Sequence, residues 1–125
     1  MARATGKGFT VSKPWGDSAR YDFVTERRGI FRRVQVKSTI YYVGHRPECS
    51  RRAYLCGTNS RDKQGKLREY KPRDVDFFAC FVIPLDLWYI VPVREMRRAR
   101  FAALLDPGHP GNRYFRFLEA WHLLQ

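Results

Sequence analysis

The chain has 125 residues, 44% of them hydrophobic and 15% aromatic, which is enough for one domain with a buried core and excludes a disordered tail. No run reaches the ~18–20 apolar residues of a membrane span, and no apolar stretch follows the first basic residues, so we expect a cytoplasmic protein with no membrane partner. The formal net charge of +12 favours a polyanionic partner, with nucleic acid as the first candidate.

The first half of the chain predicts a β-hairpin. Residues 1–19 are polar and broken by Pro14 and two glycines, so we expect a loop there. Two runs rich in β-branched and aromatic residues follow, with the turn-forming Arg27-Arg28-Gly29 between them. A charged loop over 44–52 precedes a third, shorter apolar run. The strands are therefore expected at 21–25, 30–42 and 53–56.

The second half predicts a second hairpin and then helix. Residues 57–74 form a polar, basic connection that we expect to be mobile, and strands are predicted at 77–83 and 87–91 around a turn at 84–86. Apolar residues at helical spacing over 93–105 predict a helix that Asp106-Pro107-Gly108 ends. The last segment fits either a helix capped by Asn112 or a short strand over 113–117. Strands before helices indicate an α+β or α/β fold around a mixed or largely antiparallel sheet.

Three polar residues of the first hairpin form a candidate site. Val34 and Val36 alternate with Gln35 and Lys37, so the two polar side chains share one face of the strand. If the hairpin turns about Arg28-Gly29, the numbers of cross-strand partners sum to about 57, which places Asp22 opposite Gln35. The alternative is a solvent-facing ladder of polar side chains, because this spacing also arises by chance.

This grouping suits a hard divalent cation and a phosphate. The carboxylate of Asp22, the amide oxygen of Gln35 and the backbone carbonyl of Val36 are donors of the kind that Mg²⁺ prefers. A metal held there would activate water, and Lys37 would hold or polarise that water or the phosphate.

Basic residues are concentrated in the first half of the chain. Residues 1–61 hold 13 Lys/Arg against four Asp/Glu, whereas residues 62–125 hold 11 against eight. We therefore expect the DNA-binding side chains to be Arg27, Arg28, Arg32, Arg33, Arg51 and Arg52.

The cysteines argue against both a disulfide framework and a zinc site. Three cysteines are an odd number, and the spacing of His45, Cys49 and Cys56 matches no paired zinc-ligand pattern. Cys80 lies in an apolar run and is expected to be a core residue.

Four sequence blocks in order resemble the PD-(D/E)XK nuclease superfamily. They are Pro-x-Gly-Asp-x-x-x-Tyr-Asp-Phe-Val at 14–24, Arg-Val-Gln-Val-Lys-Ser-Thr at 33–39, Tyr-Lys-Pro-Arg-Asp-Val-Asp-Phe-Phe-Ala at 70–79, and Trp-Tyr-Ile-Val-Pro-Val at 88–93. The chain is most similar to the cyanobacterial-type homing endonucleases associated with group I introns and their bacterial relatives. The resemblance extends over residues 8–96.

The resemblance implies a single nuclease-like domain over 1–125, with a restriction-endonuclease-like mixed sheet flanked by helices. It implies Mg²⁺-dependent cleavage of double-stranded DNA, with Mn²⁺ as a substitute, by a nucleoid-associated homo-oligomer. Asp22 resembles the family's metal-binding aspartate and Lys37 its catalytic lysine. Gln35 resembles the position usually held by Glu or Asp, which is Gln in the intron-associated group.

One departure keeps a second hypothesis open. Members of the family commonly begin with a helix that carries a metal-binding Glu, but only seven residues precede Gly8 and none of them is acidic. The helix is therefore expected to be missing. Asp22 would then be the only anionic ligand. The alternatives are a catalytically weakened nuclease-fold protein that binds DNA without cutting it and, more remotely, an RNA-binding or RNA-processing protein.

Overall fold

The computed structural model describes residues 1–44 and 47–125. Two short helices and nine strands lie in these ranges, and none of the described helices is long and apolar enough to cross a membrane. In chain order the elements are α1 (Ala2–Gly6), β1 (Thr10–Ser12), β2 (Phe23–Arg27), β3 (Ile30–Thr39), β4 (Tyr54–Gly57), β5 (Asn59–Arg61), β6 (Leu67–Glu69), β7 (Phe77–Val82), β8 (Leu87–Pro92), α2 (Val93–Arg97) and β9 (Ala102–Leu105).

The main sheet has five strands in the order β1-β2-β3-β7-β8. Its neighbours are antiparallel except for β3 and β7, which run parallel. The chain between these two parallel strands contains β4, β5 and β6. β4 pairs with β9 and β5 pairs with β6, which gives two separate two-stranded sheets. The mixed sheet expected for a restriction-endonuclease-like fold is confirmed.

Both faces of the sheet are buried around its centre, as expected of a parallel pair. One face packs on α1 and the C-terminal turn through Ala4, Phe9, Phe23, Val34, Ala79, Ile90, Ala120, Trp121 and Leu124. The other face packs on β4, β9 and α2 through a set that includes Tyr54, Cys56, Phe78, Cys80, Val82, Tyr89, Met96 and Leu105. Gln35 and Lys37 pair with Phe78 and Cys80 in β7, so they lie on this second face, where both side chains are partly exposed.

The hairpin predictions agree with the structure and the helix predictions do not. The strands predicted at 53–56, 77–83 and 87–91 lie within one residue of β4, β7 and β8. The strand predicted at 21–25 lies two residues later, as β2, and the strand predicted to Tyr42 ends at Thr39. Residues 1–19, expected to be loop, contain α1 and β1. The polar connection at 57–74 contains β5 and β6.

The helix predicted over 93–105 is wrong beyond its first turn. α2 ends at Arg97, and Arg100 then adopts a left-handed backbone with φ of 51°, which turns the chain into β9. β9 pairs residue by residue with β4, and Ala103 and Leu105 are buried at strand spacing. Pairing with a strand 45 or so residues away therefore overrides the local helical pattern. The last segment is neither the helix nor the strand expected, but two 3₁₀ turns at Phe115–Phe117 and Trp121–Leu124.

Candidate active site

The β2–β3 hairpin has the register predicted from its turn. Phe23 pairs with Val34 and Arg27 with Ile30, so the partners sum to 57. Arg28 and Gly29 form the turn with φ of 54° and 77°, the positive values that a two-residue hairpin turn requires. The Glu26 side chain accepts a hydrogen bond of 2.8 Å from the Gly29 N–H and so supports the turn.

Asp22, Gln35 and Val36 meet where β2 begins. Gln35 Nε2 donates to Asp22 Oδ2 at 2.7 Å and to the Val36 carbonyl oxygen at 3.2 Å. The Val36 N–H also donates to Asp22 Oδ2, at 2.6 Å. A carboxylate oxygen and a backbone carbonyl oxygen therefore converge on one point, which the amide NH₂ of Gln35 fills.

These donors fit a hard divalent cation. The NH₂ group lies between two oxygens, and a half-turn about the terminal side-chain bond puts the amide oxygen of Gln35 there instead, giving three oxygen donors around one position. No group of three His, Cys, Asp or Glu side chains suited to a metal occurs in residues 1–44 and 47–125. The donor set thus has one negative charge, and its remaining oxygens are neutral.

The Lys37 side chain lies on the same face of the sheet as Gln35 but extends toward the start of β5. Its Nζ donates to the carbonyl oxygen of Asn59 at 2.8 Å and lies 5.1 Å from the ring centroid of Tyr70. Tyr70 is buried and packs edge-on against Phe78 at 5.2 Å between ring centroids. The ammonium group is therefore fixed by a carbonyl and an aromatic face, while the side chain remains partly exposed.

The sequence does not identify Arg20, whose guanidinium group also contacts the ring of Tyr70. Its guanidinium group is 4.7 Å from the Tyr70 centroid and bonds to Asp74 Oδ2 and Ser60 Oγ, both at 3.2 Å. Arg20 precedes Asp22 by two residues, which was the only signal in the sequence. Its partners lie 40 to 54 residues away, so no local pattern identifies them.

An open cleft of about 460 Å³ lies beside Asp22. Its wall is the segment between β1 and β2, and the fully exposed Trp15 stands next to it. The lining residues are Lys13, Pro14, Gly16, Asp17, Ala19, Tyr21 and Asp22.

The arginines predicted to bind DNA have different surroundings. Arg28 is exposed at the hairpin turn, about 20 Å along the strand from Asp22 at ~3.4 Å per residue. Arg27 donates to the Lys7 carbonyl oxygen at 3.1 Å, whereas Arg51 and Arg52 are exposed in the loop before β4. Arg32 lies over Phe77 at 6.0 Å, and its buried Nε has no hydrogen-bond partner in the described part of the chain.

The Arg33 side chain binds the segment that immediately precedes β7. Its guanidinium donates to both carboxylate oxygens of Asp76, at 2.9 and 3.2 Å, and to the carbonyls of Pro72 and Arg73. The hydrogen bond with Asp76 raises the pKa of Arg33. Partial burial pushes the pKa of Asp76 upward, but the hydrogen bonds from Arg33 outweigh it and hold that pKa below its ordinary value. This pair fixes the loop that carries Tyr70 and Asp74.

The cysteines have no metal-binding arrangement in the described residues. Cys56 and Cys80 are buried in the core, where the neighbouring Cys56 thiol and burial raise the pKa of Cys80 well above its ordinary value. His45, which the sequence places near Cys49, lies outside the described residues.

Comparison with known proteins identifies the family of the chain. The family model of the PD-(D/E)XK endonucleases matches residues 1–124. Among solved structures, the chain is similar to a bacterial homing endonuclease, I-Ssp6803I, with a TM-score of 0.77 and 29% sequence identity; the match covers 98% of this chain and 83% of that one. The search of curated proteins finds no match. The resemblance seen in the sequence blocks is confirmed.

Proposed function

Because this chain belongs to the PD-(D/E)XK endonuclease family, we propose that it is a metal-dependent DNA endonuclease that hydrolyses phosphodiester bonds at the Asp22–Gln35–Lys37 site. The observation that carries the proposal is the convergence of Asp22 Oδ2 and the Val36 carbonyl on the Gln35 amide, within 2.7 and 3.2 Å. Carboxylate, amide and carbonyl oxygens are donors of the kind that Mg²⁺ takes together with substrate phosphates and water.

Asp22, Gln35 and the Val36 carbonyl would hold Mg²⁺, with Mn²⁺ as a substitute. Bound there, the metal supplies a Lewis acid for the phosphate and lowers the pKa of a bound water. Asp22 orients the site through its bond from the Val36 N–H at 2.6 Å. Lys37, released from the Asn59 carbonyl, donates to the attacking water or to a phosphate oxygen, where negative charge develops in the transition state.

The likeness to a homing endonuclease supports a homing-type activity on double-stranded DNA. A homo-oligomer is part of this proposal, because each site acts on one strand and two copies are needed for both strands. A DNA substrate places the protein with the nucleoid in the cytoplasm. The exposed arginines Arg28, Arg51 and Arg52 would contact the phosphate backbone away from the cleft.

A second candidate is a nuclease-fold protein that binds DNA without cutting it. The observation in its favour is that Asp22 is the only carboxylate in the donor set. A single carboxylate holds Mg²⁺ weakly. The third possibility raised by the charge, an RNA-directed protein, has no separate observation in its favour.

Nicking of supercoiled plasmid distinguishes the first two candidates. Wild type should nick in Mg²⁺ or Mn²⁺ and not in EDTA, and Asp22→Asn should be inactive. Asp17→Asn is the matched control, since it removes the same charge from the same cleft without touching Gln35. Wild type that is inert with both metals while Gln35→Glu gains activity would indicate an intact but under-ligated site. Cleavage by Asp22→Asn at the wild-type rate would refute the proposal.

A further inference from the structure

The segment predicted to be a polar, mobile connection contains a two-stranded ribbon. β5 and β6 pair as Asn59 with Glu69, Ser60 with Arg68 and Arg61 with Leu67, and they pair with no strand of the main sheet. We call residues 59–69 the β5–β6 ribbon. Every residue from 63 to 69 is exposed, so the ribbon extends from the protein instead of covering its core.

Several hydrogen bonds close the tip of the ribbon, although residues 63–66 are exposed. Asp62 Oδ1 accepts from the N–H groups of Gln64 and Lys66, both at 2.9 Å. Gly65, with φ of 79°, donates to the Asp62 carbonyl at 3.0 Å. Arg61 reaches across to the Gly65 carbonyl at 2.7 Å. A tip ordered in this way loses less entropy when it enters a binding partner.

The two faces of the ribbon differ. Strand alternation puts Arg61, Leu67 and Glu69 on the face beside Phe101, where Glu69 also pairs with Arg97 at 3.6 Å. It puts Lys66 and Arg68 on the opposite face with Ser60, which contacts Arg20.

Of the four cations of the ribbon, Lys63, Lys66 and Arg68 lie at the tip or on the second face, whereas Arg61 donates to the Gly65 carbonyl. The side chains of Lys63, Lys66 and Arg68 have no partner within residues 1–44 and 47–125. Both acidic residues of the ribbon are engaged, Asp62 with backbone N–H groups and Glu69 with Arg97. The cations are therefore available to a polyanion.

The base of the ribbon is bonded to Lys37 of the proposed site and to the neighbouring Arg20. Lys37 donates to the Asn59 carbonyl at 2.8 Å, and Arg20 donates to Ser60 at 3.2 Å. From Asn59 to the tip at Lys63 the strand rises about 14 Å at ~3.4 Å per residue. That length corresponds to about four base-pair steps of B-DNA at ~3.4 Å each.

We infer that the β5–β6 ribbon enters the major groove beside the cleaved phosphate and reads base edges within about four base pairs of it. This inference rests on the proposed DNA substrate. The major groove is about 12 Å wide and admits a two-stranded ribbon. Lys66 and Arg68 are suited to the acceptors of guanine, and the Gln64 amide at the tip is suited to adenine.

The test is selection of bound duplexes from a randomised pool, with EDTA present so that no cleavage occurs. Wild type should prefer one base about ten- to a hundredfold at several adjacent positions. Lys66→Ser/Arg68→Ser should lose the preference there. The matched control, Arg94→Ser/Arg113→Ser, removes the same charge from exposed positions outside the ribbon and should retain it. Since all four side chains are exposed, both variants should keep the wild-type Tm.

Cleavage of the selected duplex in Mg²⁺ then locates the cut. Preferred bases within about four base pairs of the cut support the inference that the β5–β6 ribbon reads them. Preferred bases that lie only farther from the cut overturn that inference. The inference also fails if the ribbon variant selects the same bases as wild type, or if wild type nicks plasmid but selects no sequence. If wild type selects bases through the ribbon and cuts nothing, the endonuclease proposal fails and the ribbon inference stands.

Discussion

Replacing Gln35 with glutamate should destabilise the metal-free protein and make Mg²⁺ stabilise it more than it stabilises wild type. The substitution removes the 2.7 Å bond from Gln35 Nε2 to Asp22 and puts a second negative charge beside the first. A hydrogen bond to a charged acceptor contributes about 1.5–3 kcal/mol. Two like charges ~4 Å apart repel by about 1 kcal/mol in water and by about 4 kcal/mol at an effective dielectric constant of 20.

Because Asp22 is exposed, the lower values apply, and the expected loss in free energy of unfolding is about 2.5 kcal/mol. For a chain of this size that is a fall in Tm of roughly 10 °C in EDTA. Like charge raises the pKa of the new carboxyl group, so the loss should be small below its unfolded pKa of about 4.3 and complete once pH exceeds the raised folded pKa.

Thermal denaturation with EDTA and with increasing Mg²⁺, in the absence of DNA, measures both effects. Metal at ~100 times its dissociation constant should restore about 2.7 kcal/mol to the variant. Gln64→Glu, at the exposed ribbon tip, is the matched control and should show neither effect. An EDTA Tm equal to that of wild type, together with an equal response to Mg²⁺, would show that Gln35 does not belong to a metal site.

Three further predictions concern the surrounding residues. Arg28→Asn should raise the free energy of unfolding by about 1 kcal/mol, since φ of 54° strains arginine, and should reduce the salt dependence of DNA binding by about one phosphate contact. Arg33→Met should cost on the order of 2 kcal/mol. The pKa of Asp76 is lowered in the folded state, so the stabilisation from this ion pair is fully present above the pKa of Asp76 in the unfolded chain. The stabilisation is lost as the pH falls through the pKa of Asp76 in the folded protein. An acid titration of the stability of Arg33→Met should not show this loss. Arg20→Met should slow cleavage about tenfold or more with nearly unchanged DNA affinity, because Arg20 and Lys37 both rest on Tyr70.

The part of the site set by a short turn was predictable. Arg28-Gly29 fixes a two-residue hairpin, and the strict alternation of a strand then fixes which side chains oppose each other, so the contact of Asp22 with Gln35 follows from residue numbers. The mixed sheet followed from four runs of β-forming residues and the family resemblance.

Long-range contacts account for what the sequence did not predict. The helix expected over 93–105 gave way to β9 because β4 offers a partner strand that no local pattern shows. The Lys37 ammonium group donates to the backbone carbonyl of Asn59. Every residue has such a carbonyl, so the sequence does not indicate which one Lys37 contacts. The polar composition of residues 57–74 predicts no strand there, whereas β5 and β6 pair across a turn in which Asp62 accepts hydrogen bonds from two backbone N–H groups.

Comparison of cleavage and DNA affinity for Lys37→Ala tests the account most directly. The account predicts that single-turnover cleavage in Mg²⁺ falls by at least ~10²–10³, because one donor to developing charge is lost. Affinity should stay within about threefold of wild type, because one phosphate contact among many is lost. Lys13→Ala, which removes the same charge from the wall of the cleft beside Asp22, should keep most of its activity. Cleavage by Lys37→Ala at the wild-type rate, or a loss no larger than the fall in affinity, would contradict the account.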